Sequence, residues 1–237
     1  MKKLSIIIPV YNEQATIGEI VKRVKTVRLP IQKEIILVDD GSTDGGREII
    51  EKLSGCKKLF HENNRGKGAA IRTGLESATG DYCIIQDADL EYNPEDYRNM
   101  LQLVLTGRAK IVYGSRNLRK SNVSGKKLYK YGGIFVTIVT NLLFGTRLTD
   151  EATCYKLFPT RLLKSLVLEQ HGFGFCPEVT AKVSRLGYEI VEVPISYQAR
   201  REGKKLNAWH GIEAILFLLK YRFLPSSSFL GNRTRKI

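Results

Sequence analysis

The sequence predicts an α/β fold in which a mostly parallel central sheet carries helices on both faces. Short apolar runs rich in β-formers alternate with segments whose apolar residues recur at helical spacing. Runs such as Leu4-Ser5-Ile6-Ile7-Ile8-Pro9-Val10 and Glu34-Ile35-Ile36-Leu37-Val38 are nearly continuously apolar, as strands covered on both faces are. Three strand ends carry unusual polar residues: Pro9-Val10-Tyr11-Asn12-Glu13, Asp39-Asp40-Gly41-Ser42 and Asp87-Ala88-Asp89. A parallel arrangement puts all three on one edge of the sheet, where open α/β sheets bind ligands.

Each element has its own signal. After the first strand, Ile17, Ile20, Val21 and Val24 mark a helix; residues 34–38 form the second strand. A helix near 44–53, a short strand at 57–61, a helix over 67–78 and a strand at 82–86 follow. Asn93-Pro94-Glu95-Asp96 opens another helix, because Asn caps, Pro suits the first turn and acids complement the dipole. A strand at 110–114 closes the first half. The second half is less regular. Residues 126–145 read as a helix apolar on one side, 149–157 as a strand or extended loop, 177–186 as a helix and 188–197 as a strand.

Composition narrows the function. With 237 residues and no repeat or low-complexity linker, one domain is expected. Hydrophobic content of 43% and charged content of 26% are ordinary, but a net charge of +14 is not. That charge calls for an anionic partner: a phosphate-bearing substrate, an acidic lipid surface or nucleic acid. Lys and Arg cluster at 116–130 and 200–205 and again at Arg233, Arg235 and Lys236. The cysteines Cys56, Cys83, Cys154 and Cys176 form no CxxC pair, which fits a reducing, cytoplasmic setting. Met1-Lys2-Lys3 leads straight into a strand, so no signal peptide is expected. The most apolar stretches, Gly133–Phe144 and Gly211–Phe223, are too short to span a bilayer.

Asp87-Ala88-Asp89 follows a buried run, and two carboxylates at a strand end suit a hard divalent cation completed by phosphate oxygens and water. Taken alone, a solvated acidic turn explains it equally well. The ordered set Ile7-Ile8-Pro9-Val10-Tyr11-Asn12-Glu13, Val38-Asp39-Asp40-Gly41-Ser42-Thr43-Asp44, Asn64-Arg65-Gly66-Lys67-Gly68 and Asp87-Ala88-Asp89 decides between them. Together with Gly114-Ser115-Arg116 and Glu192-Val193-Pro194-Ile195, it resembles a family 2 glycosyltransferase of GT-A, Rossmann-like fold. The resemblance covers roughly residues 4–205 and is nearest the dolichol- or polyprenyl-phosphate hexosyltransferase branch.

That resemblance implies an inverting, metal-dependent transfer of a hexose from a nucleotide diphosphate sugar, of GDP-mannose or UDP-glucose type, to a polyprenyl phosphate. It divides the domain into a nucleotide-sugar half (1–115), an acceptor half (116–205) and a C-terminal helix with a basic tail (206–237). Pro9, Tyr11 and Glu13 would frame base and ribose; Val38 and Asp40 would close that pocket. Asp87, Ala88 and Asp89 would take the diphosphate, with Asp87 and Asp89 holding Mg2+ or Mn2+. Glu91 is either a further metal ligand or a loop acid, and Lys67 either a phosphate contact or a solvated cation. Arg116 matches a phosphate-contacting position; Lys130, Arg201 and Lys205 match more loosely, and a solvated basic loop explains the last two as well.

Asp150 is the best acceptor-side carboxylate, as a base for a hydroxyl acceptor, as an orienter of basic groups, or as a structural cap. Glu178 is a weaker candidate that pairing with a Lys or Arg would explain. Trp209, Ile212, Ile215, Leu216 and Leu219 recur at helical spacing before Lys220 and Arg222. They suit a membrane interface, packing on the domain, or a contact within a homo-oligomer. Two rivals stand: a saccharide or other hydroxyl acceptor, and a basic nucleic-acid-binding module, which would show salt-sensitive DNA or RNA binding. No nucleic-acid motif supports the latter, and no nucleic-acid partner is expected.

Overall fold

The computed structural model describes residues 1–123, 127–200 and 208–231. The first half is a regular strand–helix alternation: β1 (Lys3–Val10), α1 (Ile17–Thr26), β2 (Gln32–Asp39), α2 (Gly46–Lys52), β3 (Lys57–Phe60), α3 (Lys67–Ser77), β4 (Tyr82–Ile85), α4 (Tyr97–Leu105) and β5 (Ile111–Ser115). The second half adds α5 (Lys127–Phe144), β6 (Lys156–Pro159), α6 (Thr160–Ser165), α7 (Phe175–Arg185), β7 (Ile190–Pro194) and α8 (Ala208–Phe223). One sheet orders all strands as β3-β2-β1-β4-β6-β5-β7. Among the described strands, only β6 runs antiparallel to its neighbours, β4 and β5.

Residue parity in β1 builds the two layers. Leu4, Ile6, Ile8 and Val10 face the α1 and α4 side, with Ile17, Ile20, Met100 and Leu101. Ile7 faces the opposite side, with Ile71, Leu75 and Cys83 and the α7 residues Val179 and Val183. Contact there is close: a Cβ on Gly74 of α3 would lie 2.5 Å from Ile7 Cγ2. Asn93 caps as expected, its Oδ1 accepting from Glu95 N at 3.1 Å in a short 3-10 turn that leads into α4.

The second half departs from expectation in detail. Of the strand or extended loop expected over 149–157, the loop holds for most of the segment: a pinned loop runs to Tyr155, and β6 starts only at Lys156. Glu192 carboxylate oxygens accept from Thr149 N and Asp150 N at 2.6 and 2.9 Å, which takes those amides out of any ladder. The sequence pattern missed α6, which has six residues and buries only Thr160 and Leu163. Helix α7 begins at Phe175, two residues before the expected Pro177. Proline is tolerated there because first-turn amides lack intrahelical partners.

The sheet's other edge carries a pH-sensitive tie. Glu34 Oε1 accepts from Ser5 Oγ at 2.5 Å, Thr79 N at 2.7 Å and Gly80 N at 3.0 Å. Burial alone would raise its pKa, but these bonds and nearby Lys3 outweigh it and bring the carboxyl down to about 2. A depressed folded-state pKa gives stability that is present above the ordinary value of 4.5 and lost as pH falls toward 2. Glu34→Gln is expected to lower stability at pH 7 and to flatten its fall between pH 4.5 and 2, as read by urea unfolding across that window.

Candidate active site

The parallel registers of β1 with β2 and with β4 bring the three polar strand ends to one edge, as expected. Pro9 lies beyond the last β1–β4 pair, Ile7 with Ile85, so its missing amide breaks no ladder on that side. Asn12, in the left-handed region (φ 49°), ties two of the ends together: its amide donates to Ser42 Oγ at 3.0 Å and its Oδ1 accepts from Thr43 N at 2.8 Å. Gly41 is required here, because its φ is +74° and a Cβ would meet Asn63 C and Asn64 N at 2.7 Å.

The expected nucleotide pocket needs three corrections. Val38 is fully buried with Ile36, Ala70 and Ala78, so it is core rather than pocket wall. Asp40 points to the same face. Its Oδ1 accepts from Arg65 N (3.0 Å) and meets His61 Nδ1 (2.6 Å), and its Oδ2 accepts from Gly66 N (2.8 Å). These bonds commit Asp40 to holding the Asn64-Arg65-Gly66 loop rather than a base or ribose. Ala88 buries its side chain in the core, leaving only its backbone for a ligand.

A further buried carboxylate at this strand end, which the sequence reading did not single out, is Asp39. Its Oδ1 accepts from Ser42 N at 3.2 Å, while its buried Oδ2 has no hydrogen bond and lies 3.4 Å from Arg47 Nε. Strand parity was the available signal, since Asp39 must face opposite to Val38 and Asp40. Pro9 and Tyr11 stay half-buried at the mouth of this edge. Glu13 is paired with Arg200 Nη1 at 2.9 Å.

The acidic loop is held from below. Gln86 is buried; its Oε1 accepts from the Tyr97 and Tyr155 hydroxyls, and its Nε2 donates to Asp87 O at 2.9 Å. Asp87 Oδ1 lies 2.5 Å from Lys67 Nζ. Burial opposes both charges, but their pairing outweighs it and holds the Asp87 carboxyl below its usual range and the Lys67 ammonium above its own. Asp89 Oδ1 accepts from Glu91 N at 3.1 Å. Burial first, then the charges of Asp87 and Glu91, push the Asp89 carboxyl up to about 7. Leu90, between them, is in the left-handed region at φ 63°, a strained setting for a non-glycine residue.

Glu91 is corrected as a metal ligand. Its Oε2 accepts from the Tyr197 hydroxyl at 2.6 Å and its Oε1 from Arg200 N at 2.8 Å, so it anchors the returning 197–200 segment. Among the described residues, no group of three or more His, Cys, Asp or Glu is gathered to hold a metal. Asp87 and Asp89 alone fit a cation that takes its other oxygens from phosphate and water, not an all-protein cage.

Across the edge, Arg116 Nε and Nη2 donate to Asp150 Oδ2 and Oδ1, both at 2.7 Å, and Arg116 N donates to Oδ2 at 2.9 Å. The Arg116 guanidinium also lies 5.2 Å from the Tyr197 ring centroid. Glu178 is buried and paired with Lys182 at 2.7 Å, the structural alternative for it. Lys130 is exposed on α5, and no ion pair or hydrogen bond joins it to the acidic loop among the described residues. Arg201 and Lys205 lie outside the described residues.

Comparisons with known proteins bear on the family and the fold. The Glycosyl transferase family 2 profile matches residues 5–167. A dodecaprenyl-phosphate galacturonate synthase of Rhizobium johnstonii is 26% identical over 96% of this chain and 70% of its own length. A dolichol-phosphate mannosyltransferase of Pyrococcus furiosus is 27% identical over 85% of this chain, which spans 58% of that protein. Glucosyl-3-phosphoglycerate synthase of Mycobacterium tuberculosis, solved with Mn2+, UDP and glucosyl-3-phosphoglycerate, superposes with a TM-score of 0.75 at 21% identity, over 94% of this chain and 81% of that one. That likeness gives the GT-A fold, and the profile match, covering well over half of the sequence, places the chain in glycosyl transferase family 2.

Proposed function

We propose that this glycosyltransferase moves a hexose, with inversion, from a nucleotide diphosphate sugar to a polyprenyl phosphate. One observation carries the choice of acceptor. Both Asp150 oxygens are taken by the Arg116 fork and amide, so the best acceptor-side carboxylate is engaged in holding a cation rather than ready to take a proton. A hydroxyl acceptor needs a base, whereas a lipid phosphate is already an anion and needs positioning. Arg116 Nη1, which has no partner among the described residues, is the group offered to that phosphate. The names of the Rhizobium and Pyrococcus relatives point the same way.

In this reading the acceptor oxygen attacks the anomeric carbon from the side opposite the donor diphosphate. The new C–O bond forms as the old one breaks, and the electron pair leaves with the nucleoside diphosphate. Asp87 and Asp89 would hold Mg2+ or Mn2+, which when bound supplies positive charge to the departing diphosphate. Tyr11 and Pro9 stand at the edge where the nucleoside would sit, with the buried Asp39 carboxylate, 3.4 Å from Arg47 Nε, behind them. Purified protein incubated with labelled GDP-mannose or UDP-glucose, a polyprenyl phosphate and Mn2+ is expected to yield label in an organic extract. Label appearing only in aqueous product, on a hydroxyl acceptor, would overturn the lipid reading.

A second observation favours a peripheral lipid surface. Leu128, Tyr131, Phe135, Ile138 and Leu142 form an exposed stripe on α5, and Trp209, Ile212, Leu216, Leu219 and Phe223 form one on α8 at the same spacing. The helices pack together through Val136, Val139 and Leu143 of α5 and Ile215 and Leu218 of α8. Residues Val139, Leu143 and Ile215 connect each stripe to that seam by helical position. Lys130, Arg147 and Arg222 are exposed beside the stripes, where cations meet anionic headgroups. No helix among the described residues is long and apolar enough to cross a membrane. Leu142→Glu with Phe223→Glu is expected to cut co-flotation with anionic vesicles by about tenfold or more, without changing nucleotide binding. A concentration-dependent dimer abolished by the same pair, with no flotation of the native protein, would assign the face to a second copy instead.

A further inference from the structure

We propose that the Lys67 ammonium, paired with Asp87, competes for the positive-charge position that a divalent cation takes when the donor binds, so that metal and nucleoside diphosphate load together. The inference rests on the donor-site reading above and concerns how that site fills.

Lys67 is the first residue of α3, behind Gly66 in a backbone conformation (φ +92°) that other residues rarely adopt. Its ammonium sits 2.5 Å from Asp87 Oδ1 and 2.7 Å from Cys154 Sγ, with 21% of the side chain exposed. The Phe173 ring centroid lies 5.9 Å from Nζ. The backbone beneath is clamped: Ala69 N donates to His171 O at 3.0 Å, and a Cβ on Gly66 would meet that same carbonyl oxygen at 2.5 Å. The helix start is therefore fixed, and a rearrangement at this point falls to the flexible Lys67 side chain.

The electrostatics set the order of events. A divalent cation arriving alone at Asp87 meets an ammonium already within ion-pair distance of the same carboxylate. Like charges that close repel, and in this partly exposed setting the repulsion is worth about tenfold in cation affinity. A donor diphosphate changes both sides of the contest. It gives the ammonium a new anionic partner, and it gives the cation the oxygens that Asp87 and Asp89 lack the number to provide. Lys67 moves from carboxylate to phosphate, Asp87 is released to the cation, and each ligand strengthens the other by the same factor.

Binding of Mn2+ to the full chain, followed by the electron paramagnetic resonance signal of free Mn2+ with and without UDP or GDP, tests this without turnover. The native protein is expected to bind Mn2+ weakly alone and at least about tenfold more tightly with the nucleotide. Lys67→Gln is expected to bind Mn2+ alone about tenfold more tightly than the native protein, and its further gain from nucleotide is expected to be smaller than the native gain by about the same factor. Lys67→Arg, which keeps the cation, is expected to behave like the native protein and guards against a folding defect in the Gln variant. A Gln variant with native melting behaviour and no gain in Mn2+ affinity would overturn the Lys67 assignment alone. A native protein that binds neither nucleotide in the presence of Mn2+ would overturn the donor-site reading beneath it.

Discussion

Asp89→Asn is expected to lower sugar transfer by roughly a thousandfold, since losing several kcal/mol of leaving-group stabilisation translates to that factor in rate. The amide matches the carboxylate in size and keeps an oxygen for Glu91 N, which now donates to Asp89 Oδ1 at 3.1 Å. The fold should therefore survive. It should gain if anything at pH 8, where burial beside Asp87 and Glu91, which raises the carboxyl to about 7, makes a charge at this position unfavourable. Transfer measured with saturating Mn2+, alongside a thermal melt, separates chemistry from folding. Full activity in a normally folded variant would remove the acidic pair from the reaction and with it the metal-assisted mechanism.

The sequence foretold most of the scaffold because buried parallel strands leave an unmistakable mark. Leu4–Val10 and Glu34–Val38 are apolar on both faces, and each is followed by a helix whose apolar spacing shows which side it presents. The edge that carries the site was legible for the same reason, since parallel strands end together. What could not be read was what each polar side chain turns toward. Asp40 and Asp39 are adjacent in sequence, yet one is consumed by His61 and two loop amides while the other keeps a buried oxygen with no hydrogen bond. Only parity separates them. Glu91 looked like a metal-side acid because its partners, Tyr197 and Arg200, lie more than a hundred positions away in sequence and leave no local trace. Helix α5 read as apolar on one side, but it has apolar residues on both its buried and its exposed faces, and periodicity does not tell which of them meets the core. Strand β6 was blurred because its four residues follow a loop whose amides are claimed by Glu192.

Glu178→Ala is expected to be the most destabilising single change away from the acidic loop, at about 3–5 kcal/mol, because it strands a buried Lys182 ammonium. In a domain of this size, such a loss corresponds to roughly 10 °C or more in melting midpoint. Four donors meet this one carboxylate: Lys182 Nζ at 2.7 Å, Glu169 N at 2.8 Å, Gln170 N at 2.9 Å and the Tyr221 hydroxyl at 2.9 Å. The ion pair is thus a junction at which α7, α8 and the 169–171 loop meet, and that loop in turn supplies the His171 carbonyl bonded to Ala69 N at the start of α3. Stability and donor binding therefore depend on Glu178 by different routes, and a second variant separates them. Glu178→Leu with Lys182→Met removes both charges and is expected to recover only the part of the lost stability that came from stranding the Lys182 ammonium. It still leaves the Glu169 and Gln170 amides without their acceptor, so the loop behind Lys67 is expected to loosen and nucleoside diphosphate affinity to stay several-fold below native, by the ordinary contribution of lost hydrogen bonds. Recovery of affinity together with stability would mean that the 169–171 loop is set by packing alone, and that the carboxylate serves only its lysine.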